Sequence, residues 1–178
     1  ELGEELASAQ AISRSEILDA LVNASSDAES EIKRRLRRLR SRVLLRVMAR
    51  DLDGGADLAE VCETMSALAD AEIACALDWA DAQFAVKYGV PRMPSGERCD
   101  LIVVGMGKLG GRELNVSSDI DLVFLYPEEG ETEGARPVTN HEYFDRVGRR
   151  AIQLLADITE DGFAFRVDMR LRPYGESG

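Results

Sequence analysis

Two aspartates one residue apart, Asp119 and Asp121, open an apolar run that continues to Tyr126. Ser117 and Ser118 precede them, and the glycine-rich stretch Gly105-Met-Gly-Lys-Leu-Gly-Gly111 lies just upstream. In a strand, side chains alternate between faces, so the two carboxylates project together while Ile120, Leu122 and Phe124 face the other way. Neighbouring carboxylates repel when both are ionised, which makes the pair costly unless a cation lies between them. Magnesium suits such a pair, because it takes one or two protein carboxylates and fills its other positions with water and phosphate oxygens. Backbone N–H groups in a glycine turn at a helix start attract phosphate. Carboxylates for metal beside amides for phosphate point to phosphoryl or nucleotidyl transfer.

A third acid stands in a later alternating stretch. Phe163, Phe165, Val167 and Met169 share one face of a strand over residues 163–171, and Arg166, Asp168, Arg170 and Arg172 share the other. One reading is an ion-pair ladder on an edge strand. The functional reading joins Asp168 to Asp119 and Asp121 around the metal, with Arg170 or Arg172 gripping phosphate bidentately. That reading requires the second and third strands to lie side by side.

Gly105, Gly107 and Gly110 also satisfy the Gly-x-Gly-x-x-Gly fingerprint of dinucleotide-binding folds. Spacing argues against it: a parallel crossover needs a dozen or more residues, and the segment from Gly111 to Ser118 is too short. A phosphate-binding P-loop fits less well still, because Lys108 precedes the final glycines instead of following them with Ser or Thr.

The elements that must position these residues form an α+β chain. Helices are expected from about Glu4 to Val22, from Asp27 as cap to about Leu52, and from about Leu58 to Tyr88. Gly89-Val-Pro91 ends the third, and Pro94-Ser-Gly-Glu97 reads as a linker, dividing the chain into a helical region, 1–96, and a core, 97–178. In the core, Leu101 to Val104 and Asp121 to Tyr126 read as buried strands, residues 127–137 as an exposed acidic loop, and Asn140 as the cap of a helix to about Asp157. Pro173 ends the third strand.

Composition narrows the class of partner. A formal charge of -11 argues against general nucleic-acid binding and favours a protein or a small ligand. From Glu31 to Arg50 nine basic residues face one acid, a net of +8, which reads either as a docking face for an acidic partner or as a face paired with neighbouring acids. Trp79 and Phe84 read as core anchors. Three widely spaced cysteines, Cys62, Cys75 and Cys99, suggest reduced thiols in a cytoplasmic protein. No apolar run approaches the roughly 20 residues that span a bilayer, and the acidic start Glu1 to Glu5 does not read as a signal peptide. His141, the single histidine, has no partners that suggest a nucleophilic triad.

The glycine turn, Asn115-Val-Ser-Ser-Asp-Ile-Asp-Leu122 and Arg166-Val-Asp-Met-Arg-Leu-Arg-Pro-Tyr-Gly-Glu-Ser-Gly178 together resemble the nucleotidyltransferase superfamily, and within it the glutamine synthetase adenylyltransferase and adenylyl-removing family. The resemblance implies a polymerase beta-like fold, a small mixed sheet with flanking helices. It implies two magnesium ions held by Asp119, Asp121 and Asp168, with Gly107, Lys108, Ser117, Ser118, Arg170 and Arg172 around the nucleotide and its phosphates. In that family one domain removes AMP from a tyrosine of glutamine synthetase by phosphorolysis, yielding ADP, and another attaches AMP from ATP. The wording here is closer to the removing half; the attaching half is expected to read Tyr-Gly-Ser-Asp-Leu-Asp. Partners implied are glutamine synthetase, the adenylyl group with phosphate and ADP or ATP, and the PII signal protein through the full-length enzyme. A catalytically silent nucleotide-binding module is the rival from another class. Lys108 departs from the superfamily pattern, which has a serine in that turn. The family's domain continues beyond Gly178, so the chain is expected to be a fragment. Asp119→Asn and Asp121→Asn are each expected to abolish turnover and to keep or raise thermal stability, by relieving repulsion.

Overall fold

The computed structural model describes residues 10–168. Of the helix expected from about Glu4 to Val22, the described residues form α1 (Arg14–Asp19). Its start is set by Ser13, whose hydroxyl accepts the Glu16 N–H while the Glu16 carboxylate accepts the Ser13 N–H, a reciprocal capping box. Residues before 10 lie outside the described region. A left-handed Asn23 and one 3-10 turn, Ala24–Ser26, lead to α2 (Glu29–Leu52). Asp27 does not cap α2 as expected. The Arg35 guanidinium takes its carboxylate and the Trp79 indole N–H its carbonyl, so Ala28 occupies the cap position with no side-chain bond. Asp57 accepts the Glu60 N–H at the start of α3 (Leu58–Tyr88), and Gly89, at φ 84, ends it.

The basic stripe of α2 is largely paired with neighbouring acids, as the second reading expects, and several of its members also tie the fold together through backbone carbonyls. Arg37, fully buried, donates to the carbonyls of Lys33, Leu154, Asp157 and Gly162. Arg35 reaches the carbonyls of Ala20 and Val22, Arg46 pairs with Glu16, and Arg50 with Glu60. Lys33 bridges Glu29 and Asp157.

The segment 94–97 is a tight turn, with Gly96 N–H on the Met93 carbonyl, and it is not a free linker. Pro91 pairs with Thr132, and Glu131 with Thr139, so the acidic loop is stitched to the end of α3, with Thr132 buried. That stitching explains Asn140. It is buried and donates to the carbonyls of Arg92 and Glu128, leaving Thr139 to cap α5 (Asn140–Ala156) through the Glu142 N–H.

Strands β1 (Ile102–Met106), β2 (Ile120–Leu125) and β3 (Val167–Asp168) form a mixed sheet in the order β1-β2-β3. A single helical turn, α4 (Gly107–Gly110), follows β1. The first two strands are antiparallel and the last two parallel. Antiparallel pairing across the glycine turn removes the dinucleotide-fold reading, which demands parallel strands there. The described part of β3 is shorter than expected, because the N–H groups of Ala164 and Phe165 both turn to the Leu155 carbonyl at the end of α5. The helical layer α2, α3 and α5 covers one sheet face, with Val43, Leu68, Ala76, Tyr143, Leu154 and Phe165 in the core. Among the described residues no helix is long and apolar enough to cross a membrane. The three cysteines are free, and burial pushes the Cys75 thiol up to about 12.

Glu72 lies fully inside this core, with no hydrogen-bond partner for either carboxylate oxygen among the described residues. Burial pushes its carboxyl well above the usual carboxylate range, against the pull of the Arg40 and Arg37 guanidiniums. A carboxyl raised in the folded state holds its proton there while the unfolded chain has released it. Its contribution is therefore fully present below the unfolded value near 4.5 and is lost as pH rises toward the folded one. Glu72→Gln is expected to leave stability at pH 8 equal or higher and to flatten the fall in stability above pH 5, as followed by urea denaturation.

Candidate active site

The site is built where β2 meets β3. Parallel pairing sets Ile120 against Val167 and Asp121 against Asp168, so the two acids sit in register on one face. Ile120 and Leu122 point into the core, which places Asp121 on the opposite, open face. Met106 is the antiparallel partner of Asp121, and Ile102, Val104, Met106 and Leu125 leave an exposed apolar surface on this side of the sheet.

Glycine brings the turn onto the acid. Gly107 has φ +53, and a Cβ there would lie 2.8 Å from Asp121 Oδ2, so only glycine lets the carboxylate rest against the turn. A Cβ at Gly110 would lie 2.6 Å from the Gly105 carbonyl, which is why β1 can fold directly into α4. Gly107 and Lys108 are exposed at the start of α4, where the first amides lack intrahelical partners. Arg112, at φ 54, fastens the far side of this turn to α3 through Glu63, with 2.6 Å contacts, and Asp70. Those hydrogen bonds hold its guanidinium above the ordinary arginine value.

The serine turn is organised by Asn115, a residue the sequence reading quoted but gave no role. Its side-chain oxygen accepts the Ser117 N–H at 3.0 Å and the hydroxyls of Ser117 and Ser118 at 3.1 and 3.0 Å. An Asn side chain that accepts the backbone N–H two residues on forms an Asx turn, a local preference of Asn that made Asn115 a legible turn former. Both hydroxyl protons are thus engaged within the turn. Arg40 donates to the Val116 carbonyl and lies 5.3 Å from the Phe163 ring centroid. Arg166 donates to the Ser117 carbonyl at 2.9 Å and to Asp119 Oδ1 at 2.5 Å.

Thus Asp121 and Asp168 are brought together beside the glycine turn, and Asp119 is near them along the chain but engaged by Arg166. Arg170 and Arg172 lie outside the described residues. Among the described residues no three acidic, histidine or cysteine side chains close into an ion cage. The donor chemistry nonetheless fits magnesium: hard carboxylate oxygens, and two of them from in-register strand positions where like charges oppose each other. A separate cavity of about 430 Å³, rimmed by Asp70, Asp78, Asp81 and Arg98, opens on the helical side of the sheet, away from Asp121.

Residues 3–178 match the family described as glutamate-ammonia ligase adenylyltransferase. The chain belongs to this family. The relatives carry the name bifunctional glutamine synthetase adenylyltransferase/adenylyl-removing enzyme. That of Burkholderia mallei is 60% identical over 134 residues, 74% of this chain and 14% of that protein. That of Pseudomonas aeruginosa is 56% identical over 136 residues, 75% of this chain and 14% of that protein. That of Aromatoleum aromaticum is 54% identical over 136 residues, 76% of this chain and 14% of that protein. The chain thus spans about 14% of the length of these curated relatives. A glutamate-ammonia ligase adenylyltransferase is a nucleotidyltransferase, and the mixed sheet with its helical layer is the α+β architecture the motifs implied.

The geometry separates the two aspartates in one respect. Asp121 stands opposite a carboxylate residue in the strand register while Asp119 is ion-paired with an arginine, so relief of like-charge repulsion is expected at Asp121 and not at Asp119. In metal-free buffer Asp121→Asn is expected to raise the melting temperature and Asp119→Asn to leave it unchanged or slightly lower, by differential scanning calorimetry. A rise of equal size for both would contradict the arrangement.

Proposed function

We propose that this chain carries the adenylyl-removing site of its family, releasing AMP from an adenylylated tyrosine of glutamine synthetase by phosphorolysis. The observation that carries the reading is the parallel register of Asp121 with Asp168 beside the Gly107 turn, with Asp119 two residues upstream. The relatives' names supply the substrate, glutamine synthetase, and the motif wording supplies the direction. The boundary at residues 96 and 97 is our proposal for where the catalytic unit begins.

In this reading a phosphate oxygen forms a bond to the AMP phosphorus as the bond to the tyrosine oxygen breaks in line, leaving ADP and a tyrosine that takes up a proton. Asp119, Asp121 and Asp168 would hold two magnesium ions, which when bound neutralise charge on the phosphoryl oxygens. Asp168 either completes that shell or accepts the proton of the attacking phosphate. Lys108, exposed at the start of α4, contacts phosphate as a point charge, and the amides of Gly107 and its neighbours cradle it. Asn115 fixes the Ser117 and Ser118 hydroxyls, so each serine meets substrate through an oxygen already held in place. Arg170 and Arg172 remain proposed phosphate contacts. Glutamine synthetase would approach the open face, where Ile102, Val104 and Leu125 are exposed.

Incubating the native-length protein with adenylylated glutamine synthetase and labelled phosphate is expected to yield labelled ADP. Asp121→Asn is expected to abolish that product while leaving ATP-dependent adenylylation intact. Loss of the ATP-dependent reaction instead would assign this site to attachment, and full retention of both would leave it catalytically silent.

A further inference from the structure

Arg166 belongs to the site in a way its position on an alternating strand did not disclose. Its carbonyl accepts the Ile120 N–H at 3.0 Å, which pins its backbone beside Asp119. Its Nε then reaches Asp119 Oδ1 at 2.5 Å and its Nη2 the Ser117 carbonyl at 2.9 Å, with the guanidinium 5.9 Å from the Phe163 ring centroid. Two relations of charge therefore meet at this end of the sheet: Asp119, just before β2, is ion-paired with Arg166, and Asp121 stands opposite a second carboxylate, Asp168, in the strand register. A cation relieves the second by drawing carboxylate oxygens toward itself. The first holds Asp119 back.

We propose that Arg166 and a divalent cation compete for Asp119, with Arg166 as the positioning residue that balances this carboxylate whenever the metal is absent. The proposal rests on the metal-dependent reading above. The side chains of Arg166 and Asp119 are 59% and 52% exposed, so water screens the pair and it exchanges readily. The turn is also held by contacts that do not involve Asp119: Arg166 donates to the Ser117 carbonyl, and the Asn115 side chain accepts both serine hydroxyls. Metal binding then releases a guanidinium on the same face as Asp121 and Asp168, where the anionic substrate would lie.

The test is Mn2+ titration of the native-length protein, read as free Mn2+ by electron paramagnetic resonance, for wild type, Arg166→Gln, Asp119→Asn and the double variant. Arg166→Gln is expected to bind Mn2+ about two- to fivefold more tightly at low ionic strength, the size of an exposed ion pair. The gain is expected to vanish in the Asp119→Asn background, and Arg166→Lys, which keeps charge but loses the planar fork, to fall between. Equal or weaker Mn2+ affinity in Arg166→Gln, with Asp119→Asn still weakening binding, would overturn the competition and leave the metal site standing. Mn2+ affinity that ignores Asp119 altogether would overturn the competition together with the metal assignment of Asp119.

Discussion

Two carboxylates opposed across a parallel strand pair are an unfavourable arrangement, and the rest of this molecule is arranged to keep Asp121 and Asp168 in it. Like charges directly opposite each other destabilise a sheet. Among the described residues the ladder of β3 covers only Val167 and Asp168, a short stretch to fix a register. The register must be imposed from outside the sheet, and the helices do so.

The path of that constraint runs through arginines. Arg37 of α2 grips the carbonyls of Leu154 and Asp157 at the end of α5 and of Gly162 in the turn that follows. Leu155 accepts the N–H groups of Ala164 and Phe165, and Phe165 is buried, which aims the chain at β2 and sets Asp168 beside Asp121. Arg40, one turn along α2, holds the Val116 carbonyl and lies 4.7 Å from the centroid of Phe165, so the same helix also steadies the turn before Asp119. Arg112 does the equivalent for the glycine turn from the α3 side. Helices that carry no proposed chemistry thus fix all three segments that do. Arg37 and Arg40 are buried and point at carbonyls, so they act through geometry at close range, and salt screens them little.

Much of this was legible in the residues. Alternation along 119–124 predicts which side chains enter the core, and Ile120 and Leu122 are buried there as that period requires. The bounds of α3 follow from Asp57 and Gly89, whose cap chemistry is local. What escaped was set by partners distant in sequence. Asp27 has the right type and place for a cap, yet Arg35 and Trp79 claim it. Asn140 looks like a cap until the Arg92 and Glu128 carbonyls bury it. Pairing of the α2 stripe with neighbouring acids was legible, as Arg46 with Glu16 and Arg50 with Glu60 show, but a sequence does not show the backbone carbonyls that Arg37 grips across the fold. Arg166 was visible on the polar face of its strand, but its contact with Asp119 depends on the strand order β1-β2-β3, which no local pattern encodes.

The measurement that bears most directly on the shared acid site is anomalous diffraction from crystals of the native-length protein grown with Mn2+. A peak on the open sheet face within coordinating distance of both Asp121 and Asp168, beside Gly107, is the predicted result. Mn2+ bound by one of these carboxylates without the other, or no peak at that face, would contradict it.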